Sequence, residues 1–93
     1  MEIHNQDDGK KGMFYVEENG SILAKMTYLW AGTHKIIIDH TEVSEVLAGK
    51  GVGKQLVAKA VEMAREKHIK ILPLCPFAKS IIEKNPSYSD ILF

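Results

Sequence analysis

A glycine-rich turn is the strongest chemical feature of this sequence. Residues 47 to 56, LAGKGVGKQL, precede a segment with helical periodicity. The glycines are Gly49, Gly51 and Gly53, and the lysines are Lys50 and Lys54. Glycine lets the backbone approach a ligand closely, and the first N–H groups of a helix lack internal acceptors and attract anions. The turn predicts a pyrophosphate-sized anion site, and the alternative is a strand-to-helix connection that binds nothing.

Two known phosphate motifs do not fit this turn. A Walker loop requires glycine, four residues and then Gly-Lys-Ser/Thr, but Ala48 stands at the first position and Gln55 at the last. The dinucleotide fingerprint requires a third glycine at position 54, which is a lysine. Any anion site here must therefore depend on backbone N–H groups rather than on either motif.

The elements around the turn predict a mixed sheet. Residues 13–18 and 21–30 read as strands joined by an Asn19-Gly20 hairpin turn, and residues 34–43 read as a β-branched central strand. An amphipathic helix follows the glycines, because Leu56, Val57, Ala60, Val61 and Ala64 recur at helical spacing. The segment KILPLCPF, with Pro73 and Pro76, predicts a short edge strand, and FAKSIIEK predicts a second helix. The order is a three-stranded antiparallel meander followed by a β-α-β crossover and a helix, which is an α/β (α+β) fold.

Composition excludes several classes of protein. Ninety-three residues suit one domain, predicted at residues 13–93, with residues 1–12 as a loose lead-in. Twelve basic and twelve acidic residues cancel, which disfavours binding of nucleic acid or a membrane surface by bulk charge. No apolar run reaches membrane-spanning length, no secretory leader is evident, and one cysteine cannot form an internal disulfide. We expect a cytoplasmic monomer, and the scattered histidines predict no metal site.

Two stretches together resemble a known family. HTEV followed by LAGKGVGKQLV is similar to the acetyl-CoA-binding segment of the GNAT superfamily of N-acyltransferases, whose pattern is Arg or Gln, two residues, Gly, any residue, then Gly or Ala. Gly51 and Gly53 occupy the two small positions, and Ala48 departs from the usual Arg or Gln. The segment EKHIKILPLCPFAKSIIEKNPSYSDIL resembles the small single-domain YjdJ-type group. The resemblance extends from Met13 to the C-terminus.

The resemblance implies acetyl-CoA, or CoA, as the ligand. It implies a minimal GNAT-like fold whose two parallel strands splay apart, with the pantetheine arm between them and the diphosphate on the turn. Pro73 and Pro76 would keep this slot open, because proline has no N–H group to donate across it. The implied cofactor-binding residues are Glu42, Val43, Ala48, Gly49, Lys50, Gly51, Val52, Gly53, Lys54, Cys75, Pro76 and Phe77.

Four residues are candidates for acetyl transfer to an unidentified amine. His40 and Glu42 share a strand face, so one could accept the amine proton while the other orients it. Alternatively, both could be polar surface residues with no catalytic role. The thioester would lie near Cys75, His40 and Glu42, and Cys75 would either accept the acyl group or line the slot. Tyr88 could protonate the departing CoA thiolate or serve packing. A family member usually has a strand and two helices before the hairpin, whereas this sequence offers residues 1–12 there. The alternative is therefore a non-catalytic CoA-binding or sensing module.

Overall fold

The chain forms one mixed sheet with two helices. The computed structural model describes all 93 residues. The strands are β1 His4–Asp7, β2 Lys11–Glu18, β3 Ser21–Trp30, β4 Lys35–Val43 and β5 Lys70–Pro73. The helices are α1 Val52–Lys67 and α2 Pro76–Glu83, with 3-10 turns at Glu45–Leu47 and Pro86–Ile91. None of these helices is both long enough and apolar enough to cross a bilayer.

The sheet order follows the chain order. The five strands lie in the order β1-β2-β3-β4-β5, with β1 to β4 antiparallel and β5 parallel to β4. The hairpin turn at Asn19-Gly20 is confirmed, with φ of 52° and 81° at the two residues, as a two-residue hairpin requires. The predicted α+β class and the meander followed by a crossover are confirmed.

The prediction of a loose lead-in over residues 1–12 is wrong. Residues 4–7 form β1 and pair with β2, which itself begins at Lys11. The strand is held by polar contacts from distant residues, since the Asp7 carboxylate accepts from the Tyr28 hydroxyl at 2.7 Å and from the Trp30 indole N–H at 2.9 Å. Asn5 also donates to the Tyr28 oxygen at 3.0 Å. These partners lie on β3, so local sequence gives no sign of β1.

The Asp7 cluster makes stability depend on pH. Burial alone would raise the pKa of the Asp7 carboxyl, but hydrogen bonds from Tyr28, the Gly9 N–H and Trp30 bring the pKa below its usual value. Burial and the neighbouring carboxylate raise the pKa of Tyr28 to about 12. A lowered carboxyl pKa stabilises the fold above the unfolded-state value of about 3.9, and the gain is lost as pH falls through the folded-state pKa.

We therefore expect Asp7→Asn to destabilise the protein at pH 7 and to matter progressively less below about pH 4. Urea unfolding at pH 7, 5 and 3 measures the difference between the variant and the wild type. Glu66→Gln is the control, because Glu66 is an exposed residue of α1. A wild-type advantage over Asp7→Asn that stayed the same at pH 3 would show that the charge of Asp7 does not contribute.

The core lies on one face of the sheet. The predicted apolar face of α1 is confirmed, because its residues are fully buried against the sheet: Leu56, Val57, Ala60, Val61 and Ala64. On β3 the buried residues are Ala24, Met26 and Tyr28, whereas Ile22 is 46% exposed near the hairpin. Both helices pack on this side of the sheet, which we call the helix face. The alternate side chains of the strands point to the other side, which we call the open face.

The outer edge of β5 is covered by the C-terminal residues. Ile71 forms a parallel bridge with Leu92, and the Phe93 N–H donates to the Ile71 carbonyl at 2.9 Å. The Lys35 ammonium lies 3.8 Å from the centre of the Phe93 ring, which anchors these residues to β4. The expectation that Pro73 belongs to an edge strand is confirmed, because β4 is the only strand that pairs with β5 along its length.

Candidate functional site

The parallel strands β4 and β5 separate halfway along β4. Pairing runs from Lys35↔Lys70 to Ile38↔Pro73, and the Ile38 carbonyl then accepts from the N–H groups of Leu74 at 2.9 Å and Cys75 at 3.0 Å. Beyond this point β4 continues to Val43, while the chain after β5 turns into α2. The predicted splay is therefore present. Residues 39–43 of β4 therefore lack a β5 partner, and we call this gap in pairing, between β4 and the first turn of α2, the cleft.

A β-bulge at Asp39 sets the faces of this half of β4. Thr27 pairs with His40 and Tyr28 with Ile38, so Asp39 is the extra residue. The Thr27 hydroxyl donates to the Asp39 carboxylate at 2.6 Å. After the bulge, Thr41 pairs with the buried Met26 and turns to the helix face. The bulge is not visible in the sequence, where residues 35–43 read as one regular strand.

Cys75 lies in the cleft and contacts Thr41. It is 6% exposed and occupies the cap position of α2, with its thiol donating to the Thr41 hydroxyl oxygen at 3.3 Å. Burial would raise the pKa of the thiol, but the Thr41 hydroxyl and the backbone N–H groups of Ala78, Phe77 and Thr41 lower it below its usual value. No side chain caps the N-terminus of α2, so its first N–H groups point their positive dipole ends at the sulfur. These contacts make the thiolate form of Cys75 more accessible than that of a free cysteine.

The pair His40 and Glu42 is present but lies on the open face. His40 Nε2 is 3.0 Å from Glu42 Oε1, and Lys25 Nζ is 3.7 Å from Glu42 Oε2. The hydrogen bond with His40 and the charge of Lys25 hold the pKa of Glu42 below its usual value. Both side chains of the pair are more than half exposed. Because they alternate with Thr41, they are not brought together with Cys75, and the expectation of one cluster of the three is wrong.

The glycine turn presents an uncapped helix N-terminus at the same edge of the sheet. Gly51 is the cap residue, with φ of 70° in the left-handed region, and Gly49 has φ of 78°. The first helical bond runs from the Gln55 N–H to the Gly51 carbonyl at 3.2 Å. No side chain caps the helix and no acidic residue lies in its first turn. The N–H groups of residues 52–54 therefore have no side-chain acceptor, and groups of this kind attract anions.

Gly53 has a different role from Gly51. A Cβ at Gly53 would lie 2.2 Å from the Phe77 ring, whereas a Cβ at Gly49 or Gly51 would meet nothing within 4 Å. The absence of a side chain at Gly53 thus lets the first turn of α2 rest on the first turn of α1. Pro76 is the first residue of α2. Of the predicted residues 75–77, Phe77 thus lies against the turn.

The remaining predicted residues are spread around the cleft. Ala48 and Lys50 are exposed on the turn, and Val52 is buried. Val43 is 39% exposed at the end of β4. The Tyr88 ring lies 5.9 Å from the Arg65 guanidinium of α1, and the side-chain partner of the Cys75 thiol is Thr41 rather than Tyr88. No group of three or more His, Cys, Asp or Glu residues is placed to hold a metal ion.

Sequence reasoning missed one residue of the cleft, Thr41. Its hydroxyl is the side-chain partner of the Cys75 sulfur, 34 positions away in sequence. The only sequence signal was its place between His40 and Glu42, which puts it on the opposite face from both. That signal could not say which face would contact Cys75.

The chain matches one family model and several curated relatives. A family model described as GCN5-related N-acetyl-transferase matches residues 13–91. Protein NATD1 of Xenopus tropicalis is 28% identical over 85 residues, which cover 90% of this chain and 78% of that protein. Human Protein NATD1 is 27% identical over 85 residues, covering 90% and 75%.

Two solved structures extend the comparison. A GCN5-like protein from Staphylococcus aureus, solved by NMR, superposes with a TM-score of 0.72 and is 41% identical, covering 97% of this chain and 87% of that one. A Clostridium acetobutylicum protein solved with acetyl-CoA has a TM-score of 0.61 and 20% identity, covering 80% of this chain and 55% of that one. The second likeness concerns the fold alone.

Proposed function

This chain belongs to the GCN5-related N-acetyltransferase family, and from that premise we propose that it binds acetyl-CoA and transfers the acetyl group to an amine. The observation that carries the proposal is that two features lie together at the C-terminal end of β4. The cleft opens after Ile38, and the uncapped first turn of α1 begins at Gly51. Ligands of sheets with parallel strands bind at the carboxyl ends of those strands.

The residues present fit the two ends of this ligand. The N–H groups of residues 52–54 would hold the diphosphate, with Lys50 and Lys54 nearby as counter-charges. The backbone of residues 39–43 has no β5 partner and would take the amide groups of the pantetheine arm as a strand would. When bound, acetyl-CoA supplies an acetyl group activated as a thioester. Its reacting end would lie beside Cys75 and Thr41.

Cys75 is the group best placed to accept the acetyl group. Its sulfur, with a lowered pKa, would attack the thioester carbonyl carbon, so that a new carbon–sulfur bond forms and CoA leaves as its thiolate. An amine would then attack the acetylated Cys75, forming the amide and releasing the cysteine sulfur. Thr41 would donate its hydroxyl hydrogen to the sulfur whenever the sulfur is ionised. The slot-lining role is the alternative for Cys75.

His40 and Glu42 would serve the acceptor rather than the acyl group. Their position on the open face gives an amine a separate approach to β4. The ionised Glu42 would orient the His40 ring through the 3.0 Å contact, and His40 would take the amine proton directly or through water. The amine would then reach the acetyl group on Cys75 around the unpaired edge of β4, which lies between the two faces.

The test is to titrate the protein with acetyl-CoA and, separately, with CoA, and to measure the NMR chemical shifts of its backbone amides. We expect shifts at residues 48–54 and 39–43 and at Cys75, and mass spectrometry should find one acetyl group on the Cys75 peptide after acetyl-CoA but not after CoA. Cys75→Ser should keep acetyl-CoA affinity within about twofold and lose the covalent label. His68→Gln, at the far end of α1, is the matched control and should retain both.

The outcomes separate the alternatives. No binding of acetyl-CoA would refute the proposal. Binding with no label and no product from a panel of amines would assign the chain to the non-catalytic CoA-binding class. Full turnover by Cys75→Ser would assign Cys75 to the wall of the cleft and the transfer to direct attack by the amine.

A further inference from the structure

A depression of about 270 Å³ lies where β3 begins and β4 ends. It is lined by residues 22–25 of β3 and by residues 42–44. Four of these seven residues are hydrophobic, and two of the four, Ile22 and Val43, leave 46% and 39% of their surface exposed. Apolar side chains that are exposed together around a concave surface are typical of a binding site. This depression therefore suits a ligand with an apolar part.

The depression adjoins the His40–Glu42 pair, which is proposed above to serve the acceptor. Glu42 lines the depression and is its only carboxylate, and Glu42 Oε1 lies 3.0 Å from His40 Nε2. The hydrogen bond with His40 holds the pKa of Glu42 below its usual value, so the carboxylate is ionised at neutral pH. One ionised carboxylate in the wall of an apolar depression favours a ligand with an ammonium group and an apolar remainder.

Lys25 limits the number of positive charges that such a ligand can carry. It lines the same depression, and its Nζ lies 3.7 Å from Glu42 Oε2. A second ammonium group on the ligand would be repelled by Lys25 and would find no second carboxylate to offset that repulsion. The depression therefore favours monoamines over diamines and polyamines.

A second depression, of about 300 Å³, fits the acceptor less well. Met13 is the one hydrophobic residue of its lining, which also includes Asp8 and Lys11. Neither His40 nor Glu42 lines it. An amine bound there would have no contact with the pair that is proposed to take its proton.

We propose that the depression at the end of β4 binds the amine acceptor, and that the acceptor is a primary monoamine with an apolar group of about five carbon atoms. A cavity of about 150 Å³ can hold benzene, so a group of this size fits with room for the amine. Ile22 and Val43 would then determine specificity by contacting the apolar group. The inference rests on the proposed function, because it names the class of substrate that receives the acetyl group.

The test compares three amines: pentylamine, ethylamine, which is three methylene groups shorter, and 1,5-diaminopentane, which adds a second ammonium group at the far end. Dissociation constants are measured from the backbone amide shifts of the wild type, without acetyl-CoA. We expect pentylamine to bind about tenfold more tightly than either of the others, with shifts at residues 22–25 and 42–44. The values of kcat/KM for acetyl transfer to the three amines should follow the same order.

Two variants separate the apolar contact from the charge. Ile22→Ser should weaken pentylamine binding about fivefold and leave ethylamine unchanged, because ethylamine is too short to reach this side chain. Lys25→Gln should strengthen 1,5-diaminopentane binding about tenfold and leave pentylamine within about twofold. Leu29→Ser is the matched control for Ile22→Ser, because Leu29 is also on β3, is 43% exposed and does not line the depression.

Failure of the inference is distinct from failure of the function. Equal dissociation constants for pentylamine and ethylamine would overturn the apolar site, and so would an equal loss of pentylamine affinity in Leu29→Ser and Ile22→Ser. Equal constants for pentylamine and 1,5-diaminopentane would overturn the selection of monoamines. None of these outcomes affects the binding of acetyl-CoA or the acetylation of Cys75, which need no amine. Absence of acetyl-CoA binding would refute the proposed function even if the amine affinities were as expected.

Discussion

Gly51→Val should weaken acetyl-CoA binding by about tenfold or more, because it moves the N–H groups of residues 52–54 away from the diphosphate. The backbone at Gly51 has φ of 70°, a region that β-branched residues rarely adopt. A Cβ there meets no atom within 4 Å, so the whole effect comes from backbone conformation and not from a clash. Calorimetric titration with acetyl-CoA, at a temperature where both proteins are folded, measures the change.

Gly32→Val is the matched control for this change. Gly32 has φ of 76° and equally open surroundings, but it lies in the turn between β3 and β4, at the other end of β4 from the cleft. Both substitutions should lower stability by a similar amount, of the order of 1–2 kcal/mol. Only Gly51→Val should lower affinity, and unchanged binding by that variant would show that these N–H groups are not the diphosphate ligands.

Gly12→Ala should destabilise the fold by about 2–4 kcal/mol, within the upper range for overpacking and broken polar contacts. The added Cβ would lie 2.5 Å from the Tyr28 ring and 2.7 Å from the backbone oxygen of Gln6. The ring cannot turn freely, because its hydroxyl is held by Asp7 and Asn5. Relief of the clash would therefore have to separate β1 from β2 or displace Tyr28 from the core.

Urea unfolding measures this effect, and Gly32→Ala provides its control. The control should cost only about 1 kcal/mol, because it has a positive φ but no neighbour within 4 Å. Amide exchange of residues 4–7 should rise in Gly12→Ala well above the wild type, as β1 loses its pairing. Equal destabilisation by the two variants would mean that Tyr28 and the Gln6 carbonyl move aside without cost.

The elements with regular patterns were predictable from the sequence. The period of the α1 residues, the Asn-Gly turn and the β-branched run at residues 36–38 each have a local physical cause, and each prediction is confirmed. Strand β1 was not predictable, because HNQD has no alternation and depends on Tyr28 and Trp30 of β3. Gly12 illustrates the difference: a glycine that suggests a loop stands in a strand, where the Tyr28 ring requires it.

The candidate site shows a similar division. The glycine turn could be recognised, because its chemistry resides in consecutive residues. The grouping of Cys75 with His40 and Glu42 was wrong, because one extra residue at Asp39 in the ladder decides which side chains of β4 face the helices. A bulge depends on the pairing of two strands, and the sequence of one strand does not contain it. Thr41 was missed for the same reason.

The bridge between Ile71 and Leu92 has a consequence for behaviour at high concentration. Unpaired strand margins are the usual templates for the growth of fibrils and mispaired oligomers. Here one margin of the sheet is occupied by the chain's own last residues, and the other is a strand of four residues with the polar sequence HNQD. Apart from residues 39–43 of β4, which lack a β5 partner, the molecule thus offers little backbone with which foreign strands could pair.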